Sequence, residues 1–132
     1  IAKKETIKWN FDETDEVSSQ YLPHMETDIT LENDNEKIIM DAKYYRETMT
    51  VNYDREKIKS ANLYQLFSYL LNQENGSSKN FNAIGMLLYP TIEKEYNLSF
   101  KYKNHSIQIK TINLNTTWKN IESRLSDIIE NQ

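Results

Sequence analysis

Met25–Lys43, with the sequence METDITLENDNEKIIMDAK, places two short apolar runs on either side of the polar turn Asn33–Glu36. Two such runs around a polar tetrapeptide predict a β-hairpin. Side chains two residues apart lie on the same face of a strand. Asp41 and Lys43 are therefore expected to point the same way from the second strand of the hairpin.

The first strand of the hairpin is predicted to carry Glu26, Asp28 and Thr30 together on a polar face. Pairing that sets Asp28 across from Asp41 would bring two carboxylates together with the Lys43 ammonium. Carboxylates at that distance repel, and one keeps a raised pKa unless a cation lies between them. Mg²⁺, with Mn²⁺ as the alternative, is bound by one or two carboxylates plus phosphate oxygens. The hairpin fits either a phosphodiester-cleaving site or an ordinary surface ion pair.

Length and composition limit the class of protein. The 132 residues fit one domain spanning 1–132. The net charge of −4 is unlike that of an autonomous DNA-binding domain, which is usually basic. The absence of cysteine excludes disulfides, cysteine zinc sites and cysteine nucleophiles. No apolar run approaches the ~20 residues of a membrane span, so we expect no membrane association and a cytoplasmic location.

Hydrophobic periodicity predicts the element order β-β-β-α-β-β-β-α and an α/β fold. Outside the hairpin, strands are predicted at 6–11, 82–90, 97–103 and 106–114, and helices at 60–73 and from 116 onward. The continuous apolar run at 82–90 indicates a strand that is buried on both faces in a parallel arrangement. The helices would bury the stripes Leu63, Leu66, Phe67, Leu70 and Trp118, Ile121, Leu125, Ile128.

Two polar segments are predicted as loops, 12–20 and 46–59. The second begins beside Lys43, so it could close over a substrate, and its Arg46, Lys57 and Lys59 are the best local candidates for phosphate contacts. A solvated loop is the alternative for each of these three residues. The two histidines, His24 and His105, are too few for a zinc site.

The helix at 60–73 carries Gln65 and Tyr69, which lie four residues apart and so share a face. Either they brace a site at the hairpin, or Gln65 completes a capping box with Asn62 as the N-cap. In the first case, Tyr69 would pack or contact a phosphate.

These motifs, in this order, resemble the PD-(D/E)xK nuclease superfamily. Its pattern is an acid before a strand pair, here Asp28, then Asp41-Ala42-Lys43, then a helix. The helix Gln-x-x-x-Tyr motif of the RecB-like branches is matched by Gln65-Leu-Phe-Ser-Tyr69.

Four segments look like the McrC family, the nuclease subunit of McrBC systems that restrict DNA carrying 5-methylcytosine. They are Met25-Glu-Thr-Asp-Ile29, Ile39-Met-Asp-Ala-Lys-Tyr-Tyr45, Asn62-Leu-Tyr-Gln-Leu-Phe-Ser-Tyr69 and Gly85-Met-Leu-Leu-Tyr-Pro90. Thr27 replaces the usual proline before the first acid, and Asn62 replaces the usual acid that opens the helix.

The resemblance implies a PD-(D/E)xK restriction-endonuclease-like core with a mixed sheet flanked by helices. The first core helix is missing before Thr6, so we expect it upstream in a longer parent chain. The implied partners are DNA and an McrB-like AAA+ GTPase, and the implied cofactor is Mg²⁺. The implied roles are catalysis by Asp28, Asp41, Lys43 and Gln65; metal binding by Asp28, Asp41 and the Ala42 carbonyl; and DNA binding by Arg46, Lys57, Lys59 and Tyr69.

Two other functions fit the same motifs. One is another RecB-like PD-(D/E)xK nuclease of repair or restriction, which would share the site and differ in its partner. The other is a catalytically silent nuclease fold that is kept as a binding module.

Overall fold

The computed structural model describes residues 2–43, 49–52, 55–58, 60–91, 97–113 and 116–130, with the backbone alone at 49–52, 55–58 and residues 91, 125 and 129. The fold is α/β, with a mixed sheet and flanking helices. The strands are β1 (Ala2–Lys3), β2 (Thr6–Ile7), β3 (Met25–Glu26), β4 (Ile29–Glu32), β5 (Lys37–Ala42), β6 (Met49–Asn52), β7 (Arg55–Ile58), β8 (Ile84–Thr91), β9 (Asn97–Tyr102) and β10 (His105–Asn113). The helices are α1 (Glu16–Ser19), α2 (Ser60–Asn72), α3 (Ser78–Phe81) and α4 (Trp118–Glu130).

Six strands form the main sheet in the order β1-β4-β5-β8-β10-β9. The central strand β8 runs parallel to both β5 and β10, and the outer pairings are antiparallel. The prediction of a strand with a parallel arrangement at 82–90 is therefore confirmed. The chain crosses from β5 to β8 through α2, so the amino end of α2 lies near the carboxyl end of β5.

Each face of the sheet is covered by one long helix. Leu66, Tyr69 and Leu70 of α2 pack on one face, in a cluster that includes Ile39 and Leu87. The opposite face holds a second cluster, which joins the sheet to α4 and contains Met40, Met86, Leu88, Ile112 and Ile128. The main sheet is therefore the middle of three layers.

Five short elements that the predicted order lacks are present, namely β1, α1, β6, β7 and α3. Strand β1 pairs with β4, and α1 occupies part of the predicted loop at 12–20. The predicted loop at 46–59 contains the antiparallel pair β6–β7. The first predicted strand, 6–11, is wrong beyond β2, because residues 8–11 form no ladder.

One prediction about burial was wrong, and one strand of the hairpin buries a polar residue. Trp118 does not join the buried stripe of α4, since it is 70% exposed at the first residue of the helix. On the hairpin, Thr30 is fully buried while Ile29 is 37% exposed. Thr30 lies opposite Ile39 on the α2 side of the sheet, where a polar network replaces apolar contact. Within the described residues, no helix is long and apolar enough to cross a membrane.

Gly85 of β8 lies where α2 comes closest to the sheet. A Cβ at this position would lie 2.7 Å from Leu70 Cδ1 and 3.1 Å from Leu66 Cδ2. Both leucines are fully buried, so neither has free space to move into. The glycine therefore sets how closely the helix packs on the strand.

We predict that Gly85→Ala lowers the free energy of unfolding by about 1–3 kcal/mol, because the added methyl group overpacks this contact. Urea unfolding should show the loss. A double-mutant cycle tests the cause, since Leu70→Val removes one of the crowded methyl groups. If Gly85→Ala costs the same in both backgrounds, the Leu70 contact is not what makes glycine necessary.

Candidate active site

Asp41 ends the buried part of β5 and is only 3% exposed. It pairs with Leu87 of the parallel strand β8 and shares the α2 face of the sheet with Ile39. The ladder continues past the strand end, because the Lys43 amide donates to the Leu88 carbonyl at 2.8 Å. Asp41 is therefore fixed under α2 at the carboxyl edge of two parallel strands, which does not fit the surface ion pair considered from the sequence.

Asp28 lies in the two-residue gap between β3 and β4. The register sets Ile29 opposite Met40, which brings Asp28 level with Asp41. The exposed Asp28 side chain turns toward the end of β5, where its Oδ2 accepts a hydrogen bond from the Ala42 amide at 3.0 Å. The arrangement considered from the sequence, with Asp28 across from Asp41, is therefore present, although the ladder itself ends at Ile29.

The environment of Asp41 raises its pKa from an ordinary value of 3.8 to about 6. Burial is the largest cause, because it removes water from the charged form. The Lys43 ammonium opposes this shift, and the neighbouring Asp28 carboxylate adds to it. Asp41 thus keeps a poorly compensated negative charge at neutral pH.

Lys43 joins β5 to α2. Its Nζ lies 2.5 Å from Asp41 Oδ2 and donates to Gln65 Oε1, also at 2.5 Å. The lysine side chain is only 11% exposed, so these two oxygens define where its charge lies. The structure therefore brings together Asp28, Asp41, Lys43 and Gln65, the four residues that the sequence selected.

Gln65 is oriented in turn by Tyr69. Gln65 Nε2 donates to the Tyr69 hydroxyl at 2.9 Å, and that hydroxyl donates to the Glu26 carbonyl at 3.1 Å. Burial, followed by the Asp41 charge, raises the pKa of Tyr69, which keeps the hydroxyl protonated as a donor. Because Tyr69 is 5% exposed, packing is the better supported of its two suggested roles.

The capping box considered for Asn62 is not formed. The helix already begins at Ser60, and the Gln65 side chain points to Lys43 and Tyr69. Asn62 is buried and donates to the Tyr89 hydroxyl at 2.8 Å. This bond ties the first turn of α2 to β8, a contact that periodicity could not reveal because it joins residues of two different elements.

The donor set of the site fits a hard divalent cation. Asp28 and Asp41 supply carboxylate oxygens, and the Ala42 carbonyl follows directly in the chain, which is the oxygen chemistry that Mg²⁺ accepts. A cation there would also offset the two charges that repel each other. Across the described ranges, no group of three or more His, Cys, Asp or Glu side chains could hold a metal, so water or phosphate oxygens would complete the shell.

The other predicted contacts are less defined. Arg46 and Lys59 fall outside the described residues, and Lys57 is described only as part of the backbone of β7. Glu26 is exposed and its carboxylate lies 3.9 Å from Lys4 Nζ and 3.6 Å from His24 Nε2, which is typical of a solvated residue. His105 is fully buried, with Nδ1 2.7 Å from the Ala83 carbonyl, which indicates a structural role.

Glu5 and Lys37 were not among the residues predicted from the sequence. Their side chains pair at 3.0 Å beside Thr27, the residue before Asp28. The sequence offered one signal, because Lys37 and Asp41 lie four residues apart on the same face of β5. Its partner Glu5 is 32 residues away, and no local pattern identifies it.

Two comparisons relate the chain to known proteins. Residues 4–90 match the profile of a family described as McrBC 5-methylcytosine restriction system component. The chain is also similar to a type IV methyl-directed restriction enzyme, EcoKMcrBC, of Escherichia coli strain K12. The two are 36% identical over 126 residues, which cover 94% of this chain and 35% of the relative. The chain thus spans about a third of the length of that curated relative.

The raised pKa of Asp41 predicts a pH dependence of stability. A carboxyl with a higher pKa in the folded chain holds its proton more tightly when folded, so stability falls as the pH rises from about 4 to about 6. Asp41→Asn should remove this loss and raise the free energy of unfolding near pH 7 by on the order of 1–3 kcal/mol. Urea unfolding with a chelator present, across this pH range, measures the effect.

Asp34→Asn is the matched control, because Asp34 is an exposed residue of the turn between β4 and β5. It should follow the wild-type profile. Wild-type and Asp41→Asn profiles that run parallel over this range would contradict the assignment of the raised pKa to Asp41.

Proposed function

The chain belongs to the McrBC family of 5-methylcytosine restriction system components, and we propose that it is the Mg²⁺-dependent DNA-cleaving domain of such a system. On this proposal the mixed sheet with its flanking helices is a PD-(D/E)xK nuclease core. The observation that carries the proposal is the meeting of Asp28, Asp41, Lys43 and Gln65 at one edge of the sheet.

Asp28, Asp41 and the Ala42 carbonyl would hold the ion. Support comes from the contact of Asp28 with the Ala42 amide and from the poorly compensated charge of Asp41. When bound, a divalent ion supplies Lewis acidity toward phosphate and water. Asp41 should then be held ionised, since the cation replaces the solvation that burial removed.

Lys43 would stabilise the negative charge that develops on the phosphate during hydrolysis, because its ammonium lies 2.5 Å from Asp41 Oδ2, a proposed metal ligand. Gln65 holds the lysine by accepting its hydrogen bond, and Tyr69 holds the amide of Gln65. The lysine is thus oriented before DNA arrives, and a charge already in place needs no rearrangement during the reaction.

DNA recognition would be shared with a partner. The net charge of −4 gives little attraction for a polyanion, and the chain covers 35% of its relative. We therefore propose that an McrB-like AAA+ GTPase reads the modified base and licenses cleavage. Arg46, Lys57 and Lys59 would add local phosphate contacts beside the site.

A catalytically silent binding module is the less well supported of the two functions. Burying Asp41 beside a second carboxylate costs stability, and a surface that serves only for docking gains nothing from it. A metal-dependent active site does gain, because the same arrangement creates affinity for a cation.

We predict that Asp41→Ala abolishes cleavage and that Lys43→Met slows it on the order of 10²–10³-fold, because a charge aimed at the reacting phosphate is lost. The assay uses the full-length protein with its GTPase partner, GTP, Mg²⁺ and plasmid DNA containing 5-methylcytosine. Lys101→Met is the matched control, since this exposed lysine lies on the edge strand β9. Equal loss in both lysine variants would remove Lys43 from the reaction.

The 132-residue chain alone should bind the metal yet leave DNA intact, since it lacks the proposed partner. Calorimetric titration with Mn²⁺ or Mg²⁺ should show binding that Asp41→Ala abolishes. Binding that is unchanged in Asp41→Ala, or none in the wild type, would contradict the metal site. Robust nicking by the chain alone would contradict the division of labour.

A further inference from the structure

The Asp28 carboxylate is held at the end of β5 although Asp28 itself belongs to no strand. It is exposed and lies in the gap between β3 and β4, so no strand ladder fixes its backbone. Its described side-chain hydrogen bond goes to the Ala42 amide. The direction in which an exposed carboxylate leaves a break between strands is fixed only if the backbone beside it is held.

The residue before it, Thr27, is held from both its backbone and its side chain. The Thr27 amide donates to the Glu5 carbonyl at 2.9 Å, and the Glu5 amide donates to Thr27 Oγ1 at 3.1 Å. Thr27 is 1% exposed. Glu5 therefore binds Thr27 through two hydrogen bonds, one in each direction.

Thr30 completes a ring of hydrogen bonds with Glu5 and Thr27. The Thr30 hydroxyl donates to Glu5 Oε1 at 3.2 Å, and the Thr27 and Thr30 hydroxyls lie 2.9 Å apart. A hydroxyl has one proton, so with the Thr30 proton given to Glu5, the Thr27 hydroxyl donates to Thr30. Every donor in this ring has an acceptor, which makes it a rigid buried network.

The ring is anchored by charge. Glu5 Oε2 pairs with Lys37 Nζ at 3.0 Å, and the Lys37 side chain is only 3% exposed. A buried ion pair of this kind adds little net stability compared with apolar packing, because both charges lose water. What it does supply is a fixed position for Glu5, whose backbone amide and carbonyl both bond Thr27.

We propose that Thr27 is the positioning residue for Asp28, and that Glu5, fixed by Lys37, holds Thr27 in place. The inference rests on the proposed function insofar as Asp28 serves as a metal ligand. Thr27 is not itself a proposed ligand of the metal or of the substrate. It sets the direction in which the next residue leaves the backbone, and so keeps the Asp28 carboxylate at the end of β5.

Hydrogen exchange tests this without any metal. The Ala42 amide is bonded to Asp28, whereas the next amide, that of Lys43, is bonded to Leu88 of β8. The two neighbouring amides share the same local stability and differ in whether they depend on Asp28. The ratio of their protection factors therefore reports the position of the Asp28 carboxylate.

Thr27→Val keeps the shape of the side chain and removes its hydroxyl. It should lower the protection factor of the Ala42 amide about tenfold relative to that of Lys43, because the Ala42 amide then loses its hydrogen bond to the charged Asp28 carboxylate. Asp28→Ala defines the largest loss. Thr27→Ser should restore the ratio. Thr30→Val is the matched control, because it breaks the same ring yet leaves both direct bonds between Glu5 and Thr27.

A purely structural role would make Thr27→Val and Thr30→Val equivalent. The proposal requires them to lower the urea midpoint to a similar degree while only Thr27→Val changes the ratio of Ala42 to Lys43 protection. An unchanged ratio in Thr27→Val, or an equal change in both valine variants, would overturn it.

Mn²⁺ titration of the same variants separates the two proposals. Affinity about tenfold weaker in Thr27→Val than in Thr30→Val supports the positioning role at a real metal site. If the wild type binds no Mn²⁺, the proposed function fails, and the exchange ratio still decides whether Thr27 positions Asp28.

Discussion

The parallel pairing of β5 with β8 is the constraint on which the rest of the structure depends. Parallel neighbours cannot be joined by a tight turn, so the chain must leave the sheet and return across one face. Helix α2 makes that return, and its first turns arrive above the edge where β5 ends. Gln65 can reach Lys43 for this reason alone, although the two are 22 residues apart in the chain.

The same pairing places the Asp41 carboxylate where its charge is poorly solvated and its pKa is raised. Strand β5 lies between β4 and β8, so its backbone is covered on both sides. Asp41 lies on the face that α2 covers, so its side chain has little access to water. The apolar clusters on both faces must therefore stabilise a sheet that has a buried carboxylate at its edge. Such a conflict between local stability and packing is what functional sites display elsewhere.

The sequence was informative where structure follows local periodicity. The apolar run ending at Pro90 identified the central strand, and the stripe of α2 identified the side of the helix that faces the sheet. Asp41 and Lys43 could be placed on one face by counting residues. The break at Thr27–Asp28 could not be predicted in this way, since it depends on Glu5, which reaches Thr27 from 22 residues away. The exposure of Trp118 was equally hidden, because the position of a helix relative to a sheet is decided by tertiary packing.

Gly85 has a consequence that reaches beyond packing. Its missing side chain lets Leu66 and Leu70 rest directly on the strand, and Leu66 is the immediate neighbour of Gln65. The distance between helix and sheet therefore also bears on the hydrogen bond between Gln65 and Lys43, the residue after β5. A larger side chain at position 85 would push α2 away from the sheet. The size of this core residue therefore affects the distance between Gln65 and Lys43, which lie outside the core.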